Sequence, residues 1–212
     1  MSILDEISQS LQEGKAKTVK ELVQKAIDEG MNVQTILNEG LLKGMDVIGG
    51  KFKRDEVYVP DVLIAARAMR AGTEILKPLL LLSGAKSVGK VVLGTVSGDL
   101  HDIGKNLVKM MMEGKGLEVI DIGVDAPSEL FIDTAIKENA NIIACSALLT
   151  TTMGEMGNVV EAVKKANIRD KITVMIGGAP ITDSYCKAIG ADIYTPDCAT
   201  AAEEAYRVCV GA

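Results

Sequence analysis

The chain has 212 residues, 48% hydrophobic and 25% charged, the balance of a globular protein with room for one large domain or two small ones. A formal net charge of -6, 3% aromatic residues and the lack of Trp argue against the basic footprint and stacking platforms of a nucleic-acid binder, so no nucleic acid is expected as a partner. The start MSILDEISQS carries no apolar signal core, and apolar runs such as Leu79 to Leu82 are far too short to span a bilayer; a cytoplasmic location without membrane attachment is expected.

From Ser2 to about Leu82 the pattern is helical, and cap signals divide it. Ser2 precedes Asp5, Thr18 precedes Glu21 as in a capping box, and Asn32 follows a helix stop at Gly30. A fourth helix follows Pro60, with Val62, Leu63, Ala66, Met69 and Leu76 at helical spacing. A four-helix bundle over 1–85 results. Its Met residues, like Met110 to Met112 later, suit packing rather than ligation.

The stretch from Ser83 to Gly89 is small, polar and glycine-containing, and reads as a linker. Beyond it, short β-branched runs (KVVLGTV, LEVIDIGV, NIIACSAL, KITVMIGG and a weaker ADIYTP) alternate with amphipathic stretches around 103–115, 127–138, 152–166, 181–189 and 198–210. That alternation predicts an α/β domain over 90–212, a doubly wound Rossmann-like or flavodoxin-like parallel sheet. The cysteines Cys145, Cys186, Cys198 and Cys209 show no C-x-x-C spacing and read as free thiols.

Ligands of such sheets bind where strands feed helices. The first such loop, SGDLHDIGKN, holds the single histidine, His101. A lone loop histidine is compatible with simple solvation, but Asp99 lies two residues before it, near enough to hold one ring nitrogen and leave the other for a metal. Gly98 and Gly104 let a large ligand approach the backbone. A dinucleotide fits poorly, because the loop lacks G-x-G-x-x-G.

Asp99-Leu100-His101-Asp102-Ile103-Gly104 resembles the D-x-H-x-x-G signature of the cobalamin-binding domains of methionine synthase, the B12-dependent mutases and the corrinoid methyl-carrier proteins. Forty-one residues separate Gly104 from Ser146-Ala147-Leu148, which matches the family's S-x-L element, and twenty-eight separate Leu148 from Gly177-Gly178, which matches its G-G element. Alone, the glycine pair would suit a tight turn. The resemblance implies that the cofactor's own base leaves cobalt, that His101 takes the lower axial position, and that the nucleotide tail enters a slot lined by small residues, Ser146, Gly177 and Gly178. Ser146 and Thr150 are then candidate hydrogen-bond partners of the tail, with Asp102, Ile103 and Leu148 beside it. Thr152 stands where methionine synthase has a serine that extends the Asp-His pair into a relay; its added methyl puts the relay's geometry in question.

The resemblance extends to the helical bundle, which in that family caps the reactive face of the ring. Phe52 and Val59, in the charged, turn-like KFKRDEVYVP, match the two apolar cap residues; core packing is an equal reading for Val59. With no barrel of substrate-binding size in the chain, the resemblance points to a free-standing methyl carrier of methanol, methylamine or methoxylated-aromatic metabolism rather than to a mutase small subunit or a B12-dependent sensor. Such a carrier cycles between cob(I)alamin and methylcobalamin, and cob(II)alamin is a further expected state of the cofactor. The implied partners are a substrate-specific methyltransferase, a second methyltransferase acting on tetrahydrofolate or coenzyme M, and a reductive activase. Asp99 is expected to help store the proton that accompanies release of His101. No turnover is expected of the chain alone.

Overall fold

The computed structural model describes residues 2–82 and 87–211. They fall into two compact units, one formed by the described residues up to 82 with 114–116, the other by 87–113 with 117–211. Residues 83–86 of the expected linker lie outside the described residues.

In the first unit, α1 (Ile3–Gln12) opens on a capping box, in which the Ser2 hydroxyl accepts from Asp5 N–H and the Asp5 carboxylate accepts from Ser2 N–H. It ends at Gly14, whose φ of 70° turns the chain. Helix α2 (Ala16–Asp28) begins directly after that turn with Lys15 at its cap and no side-chain cap bond, so Thr18 lies inside the helix rather than capping it. Asn32 caps α3 (33–53), its side chain accepting from Gln34 and Thr35 N–H at 2.9 and 3.2 Å.

Helix α3 is regular over Val33–Thr35 and Lys43–Lys53 but forms a π segment over Ile36–Leu42, where Lys43 N–H reaches back to Asn38 O. Five residues separate Ile36 from Leu41, and both are fully buried. On an α-helix they would point about 140° apart; the wider turn brings both inward, in phase with buried Met45 and Ile48.

Phe52 lies in the last turn of α3, not in a turn as its charged surroundings suggested, and the turn comes at 54–57. Helix α4 (Val59–Leu82) starts at Val59, with Pro60 in its first turn and the Asp61 carboxylate accepting from Tyr58 N–H at 2.8 Å. Val62, Ala66, Met69 and Leu76 face the bundle core, whereas Leu63 is 43% exposed. Phe52 and Val59 are both half-buried.

The second unit is a five-stranded parallel sheet in the order β2-β1-β3-β4-β5, the flavodoxin-like doubly wound arrangement. The strands are β1 (Lys90–Thr95), β2 (Glu118–Asp121), β3 (Ile142–Ser146), β4 (Thr173–Gly177) and the short β5 (Ile193–Tyr194). Between and after them run α5 (Ile103–Glu113), α6 (Ser128–Glu138), α7 (Met153–Lys165), α8 (Asp183–Ile189) and α9 (Cys198–Val210). Helices α5 and α9 pack together, and α6 packs with α7 over the opposite face. There Val92, Ile143 and Val174 meet Phe131, Met156 and Val160 in one dry layer.

Cys145, Cys186 and Cys198 are buried and Cys209 is half-buried, all as free thiols; burial pushes Cys145 up to about 12 and Cys198 up to about 11. No described helix is long and apolar enough to cross a membrane.

Candidate functional site

Three motifs converge at the carboxyl edge of the sheet. β1 and β3 are neighbours, and β1 gives way to the His101 loop where Val96 N–H bonds to Ser146 O at 3.0 Å. β3 and β4 end side by side at Ser146 and Gly177, which share a register position. Strand order reverses between β1 and β3, so the loops after them diverge and leave the crevice in which such folds bind ligands.

Asp99 is fully buried at the centre of this crevice, yet every acceptor position on it is used. One carboxylate oxygen accepts from the His101 ring at 2.7 Å and from His101 N–H at 3.1 Å. The other accepts from Leu148 N–H at 2.7 Å, Leu149 N–H at 3.2 Å and the Thr152 hydroxyl at 2.9 Å. Burial alone would raise this carboxyl, but the hydrogen bonds from Leu148, His101 and Thr152 outweigh it and hold the group well below the usual carboxylate range. Asp99 is therefore held as an anchored anion beside the imidazole.

An ionised partner at Nδ1 makes Nδ1 the protonated nitrogen of the neutral ring, leaving Nε2 with a free lone pair. Nε2 has no partner among the described residues, and the side chain is 51% exposed. The ring's backbone is fixed as well, because the buried Thr95 hydroxyl donates to His101 O at 2.9 Å. Thr152 reaches Asp99 despite its methyl, which rests 3.4 Å from where a Cβ on Gly98 would stand.

The remaining expected residues divide by what surrounds them. Ser146 is half-buried and Thr150 exposed, and neither hydroxyl has a partner among the described residues. Asp102 and Ile103 are exposed at the start of α5, where Asp102 O accepts from Asn106 N–H at 2.8 Å. A Cβ on Gly104 would meet nothing within 4 Å, whereas one on Gly177 would stand 3.3 Å from Thr195 O. Gly178 differs from both: its φ is 138°, and a Cβ would fall 1.9 Å from Ala147 O. Glycine is thus demanded there by the backbone itself, so a bulky substitution cannot serve as a clean probe of a ligand slot. Phe52 and Val59 belong to the other unit.

The donor set suits a metal held in a macrocycle. One imidazole is too few ligands for a bare ion, and among the described residues no group of three or more His, Cys, Asp or Glu side chains is placed to hold one. Around the ring stand unusually exposed apolar side chains, Leu100 at 71%, Ile103 at 75% and Leu148 at 43%, a surface for a broad hydrophobic ligand. Sequence reasoning missed Thr95 and the Leu148 and Leu149 N–H donors. A polar residue closing an otherwise apolar strand was the one available signal for Thr95; the amide donors leave none in side-chain identity.

Residues 89–207 match a family described as a B12 binding domain, and residues 3–77 match a second family with the same description. With the imidazole and buried carboxylate at the sheet edge, these matches make this a cobalamin-binding protein. A corrinoid protein of Desulfitobacterium hafniense (strain Y51) is 41% identical over 211 residues, covering 98% of each chain. The dimethylamine corrinoid protein of Methanosarcina barkeri is 42% identical over 205 residues, 96% of this chain and 95% of its own length. Among solved structures, the methanol:cobalamin methyltransferase complex of Methanosarcina barkeri contains a chain that matches with a TM-score of 0.88 at 30% identity, covering 99% of this chain and 80% of that one. The chain belongs to the corrinoid protein family, the cobalamin-binding methyl carriers. These relatives favour neither a mutase small subunit nor a sensor.

Proposed function

We propose that this protein works in the cytoplasm, receiving a methyl group from a substrate-specific methyltransferase and presenting it to a second methyltransferase that uses tetrahydrofolate or coenzyme M. A reductive activase restores the carrier after adventitious oxidation. The donor is a methylamine, methanol or a methoxylated aromatic. The names of the relatives, a dimethylamine corrinoid protein and a methanol:cobalamin methyltransferase complex, support the first two.

The observation that carries the reading is the exposed Nε2 of His101, whose partner nitrogen is tied to a buried, anchored carboxylate. Bound cobalamin supplies a cobalt centre able to accept and release a methyl group. His101 would hold that cobalt through its exposed Nε2. Asp99 fixes the ring's tautomer and aim, and Thr152 with the Leu148 and Leu149 amides keeps Asp99 ionised and in place. Ser146, Thr150, Gly177 and Gly104 line the way for the nucleotide tail, with Gly98, Asp102, Ile103 and Leu148 at its entrance and Gly178 shaping the turn behind it. Phe52 and Val59 cover the reactive face and exclude water.

The test is methyl loading of the reduced holo-protein from each donor class with its methyltransferase. One class should label the wild type stoichiometrically, and failure with all of them would refute the carrier role. His101→Ala should retain cobalamin through the tail but show the visible spectrum of a corrinoid without nitrogen below cobalt. An unchanged spectrum would refute the ligand assignment.

A further inference from the structure

The glycine just before Asp99 raises a question of stability that its own cage does not answer. Gly98 has a φ of 78° and is exposed, so it is the natural pivot about which the Asp99-Leu100-His101 segment would swing. What immobilises that pivot lies on another strand. Asp125, in the loop after β2, accepts from Gly98 N–H on its Oδ1 at 2.7 Å and from the Ser97 hydroxyl at 3.4 Å. Its own N–H donates to Asp99 O at 3.0 Å. The two loops are also zipped beneath this clasp, Thr95 N–H to Gly123 O and Ala126 N–H to Thr95 O, each at 3.0 Å.

Asp125 itself is left-handed, with a φ of 51°, a conformation that costs any residue with a Cβ and persists only where its surroundings hold it. The surroundings here are the residues that it clasps. No mechanistic step assigned above uses Asp125, and it lies outside the D-x-H-x-x-G, S-x-L and G-G elements.

We propose that Asp125 is a positioning residue, whose carboxylate and N–H lock residues 98–99 so that the Asp99–His101 pair is set for ligation before any cofactor arrives. The inference rests on the reading of His101 as the axial ligand. Its logic is pre-organisation: an Asp99 free to pivot about Gly98 would leave the cage of amides, and the ring would lose its tautomer and its aim.

His101 is the only histidine in the chain, so nitrogen-15 labelling of histidine yields a single imidazole whose tautomer is read directly in the apo-protein. At a pH where the ring is neutral, the wild type should show the Nδ1–H tautomer. Asp125→Ala and Asp125→Gly should both show a mixture with Nε2–H. Their affinity for hydroxocobalamin should fall about tenfold, the lower end of the range for outer partners of a metal ligand. Asp125→Asn keeps the acceptor oxygen and tolerates the left-handed backbone, and should restore both readings. Glycine relieves the backbone strain, so that variant carries the test if alanine fails to fold. A glycine variant with the wild-type imidazole signal, or an asparagine variant that behaves like alanine, would overturn the inference. Asp99→Asn serves as the control: if it too leaves the imidazole signal unmoved, the underlying site reading has failed and the inference falls with it.

Discussion

Replacing Asp99 by Asn changes one atom of the buried cage, and the geometry dictates which way the amide turns. Placed where Leu148 and Leu149 N–H now point, the NH2 group would orphan two backbone donors, at about 1–3 kcal/mol each. Placed toward His101 it orphans only His101 N–H, and the ring can answer by accepting from the amide at Nδ1. The second orientation wins. Its consequence is that the proton moves to Nε2, the nitrogen required for cobalt. To ligate, the ring must return the proton to Nδ1 and face the amide donor to donor, losing a hydrogen bond to a charged group that contributes about 1.5–3 kcal/mol. Ligation by His101 should therefore weaken by about 10 to 100-fold. The assay is equilibrium loading with hydroxocobalamin, followed by the nitrogen splitting in the electron paramagnetic resonance spectrum of the reduced protein. Wild-type affinity with full nitrogen splitting would refute the argument and remove Asp99 from control of the ligand.

The glycines offer a matched pair of tests. Gly104→Leu enters open space, so it should leave the apo-protein's thermal midpoint nearly unchanged while reducing cobalamin loading, and normal loading would show that the tail runs elsewhere. Gly178→Ala must displace the Ala147 carbonyl and adopt a disfavoured φ, so it should lower stability whether or not cofactor is present; a stable variant would contradict the close approach. Phe52→Ala should make the methyl-loaded free protein more labile to light and oxidation while leaving transfer on the partner largely intact, and unaltered lability would assign Phe52 to ordinary packing. Asp121, half-buried between Lys105 and Lys109, meets opposition from burial, but these lysines and Gly123 N–H lower it below the ordinary 3.8. A carboxylate depressed on folding stabilises above its unfolded value, and that contribution is lost as pH falls through the folded one. Denaturant stability of the apo-protein should accordingly decline below about pH 4, with a shallower decline in Asp121→Asn. An identical slope in that variant would exclude Asp121 as a source.

The alternation of β-branched runs with amphipathic stretches made the sheet and its helices legible within a few residues, because burial on both faces leaves parallel strands nearly continuous in apolar character. Asp99, His101 and Thr152 were legible too, since their side chains carry the chemistry. Other contributors were hidden for identifiable reasons. Leu148 and Leu149 act through backbone N–H groups, which every residue but proline possesses. Asp125 reaches Gly98 across 27 positions, through a pairing that exists only once β2 lies beside β1. Gly178 was legible as a glycine that mattered, but not for which reason, since a ligand slot and a backbone collision place the same demand on the chain. Thr18 misled because its helix begins at Ala16, directly after the turn at Gly14, so that Thr18 lies inside the first turn.

The π segment of α3 has a consequence for how this bundle can vary. A widened turn holds one residue more than the α-helix would place in the same height, and each residue of an α-helix turns the chain by about 100°. Loss of a single residue within 36–42 would let the segment relax to α-helix without shortening the bundle appreciably. Everything downstream, Phe52 included, would then keep its face, because the widened turn already absorbs the rotation of the extra residue, as it does in bringing Ile36 and Leu41 to one side. The side chain offered at the end of α3 is therefore buffered against loss of one residue some ten positions upstream, whereas the same loss in the regular turns after Leu42 would swing it round by about 100°.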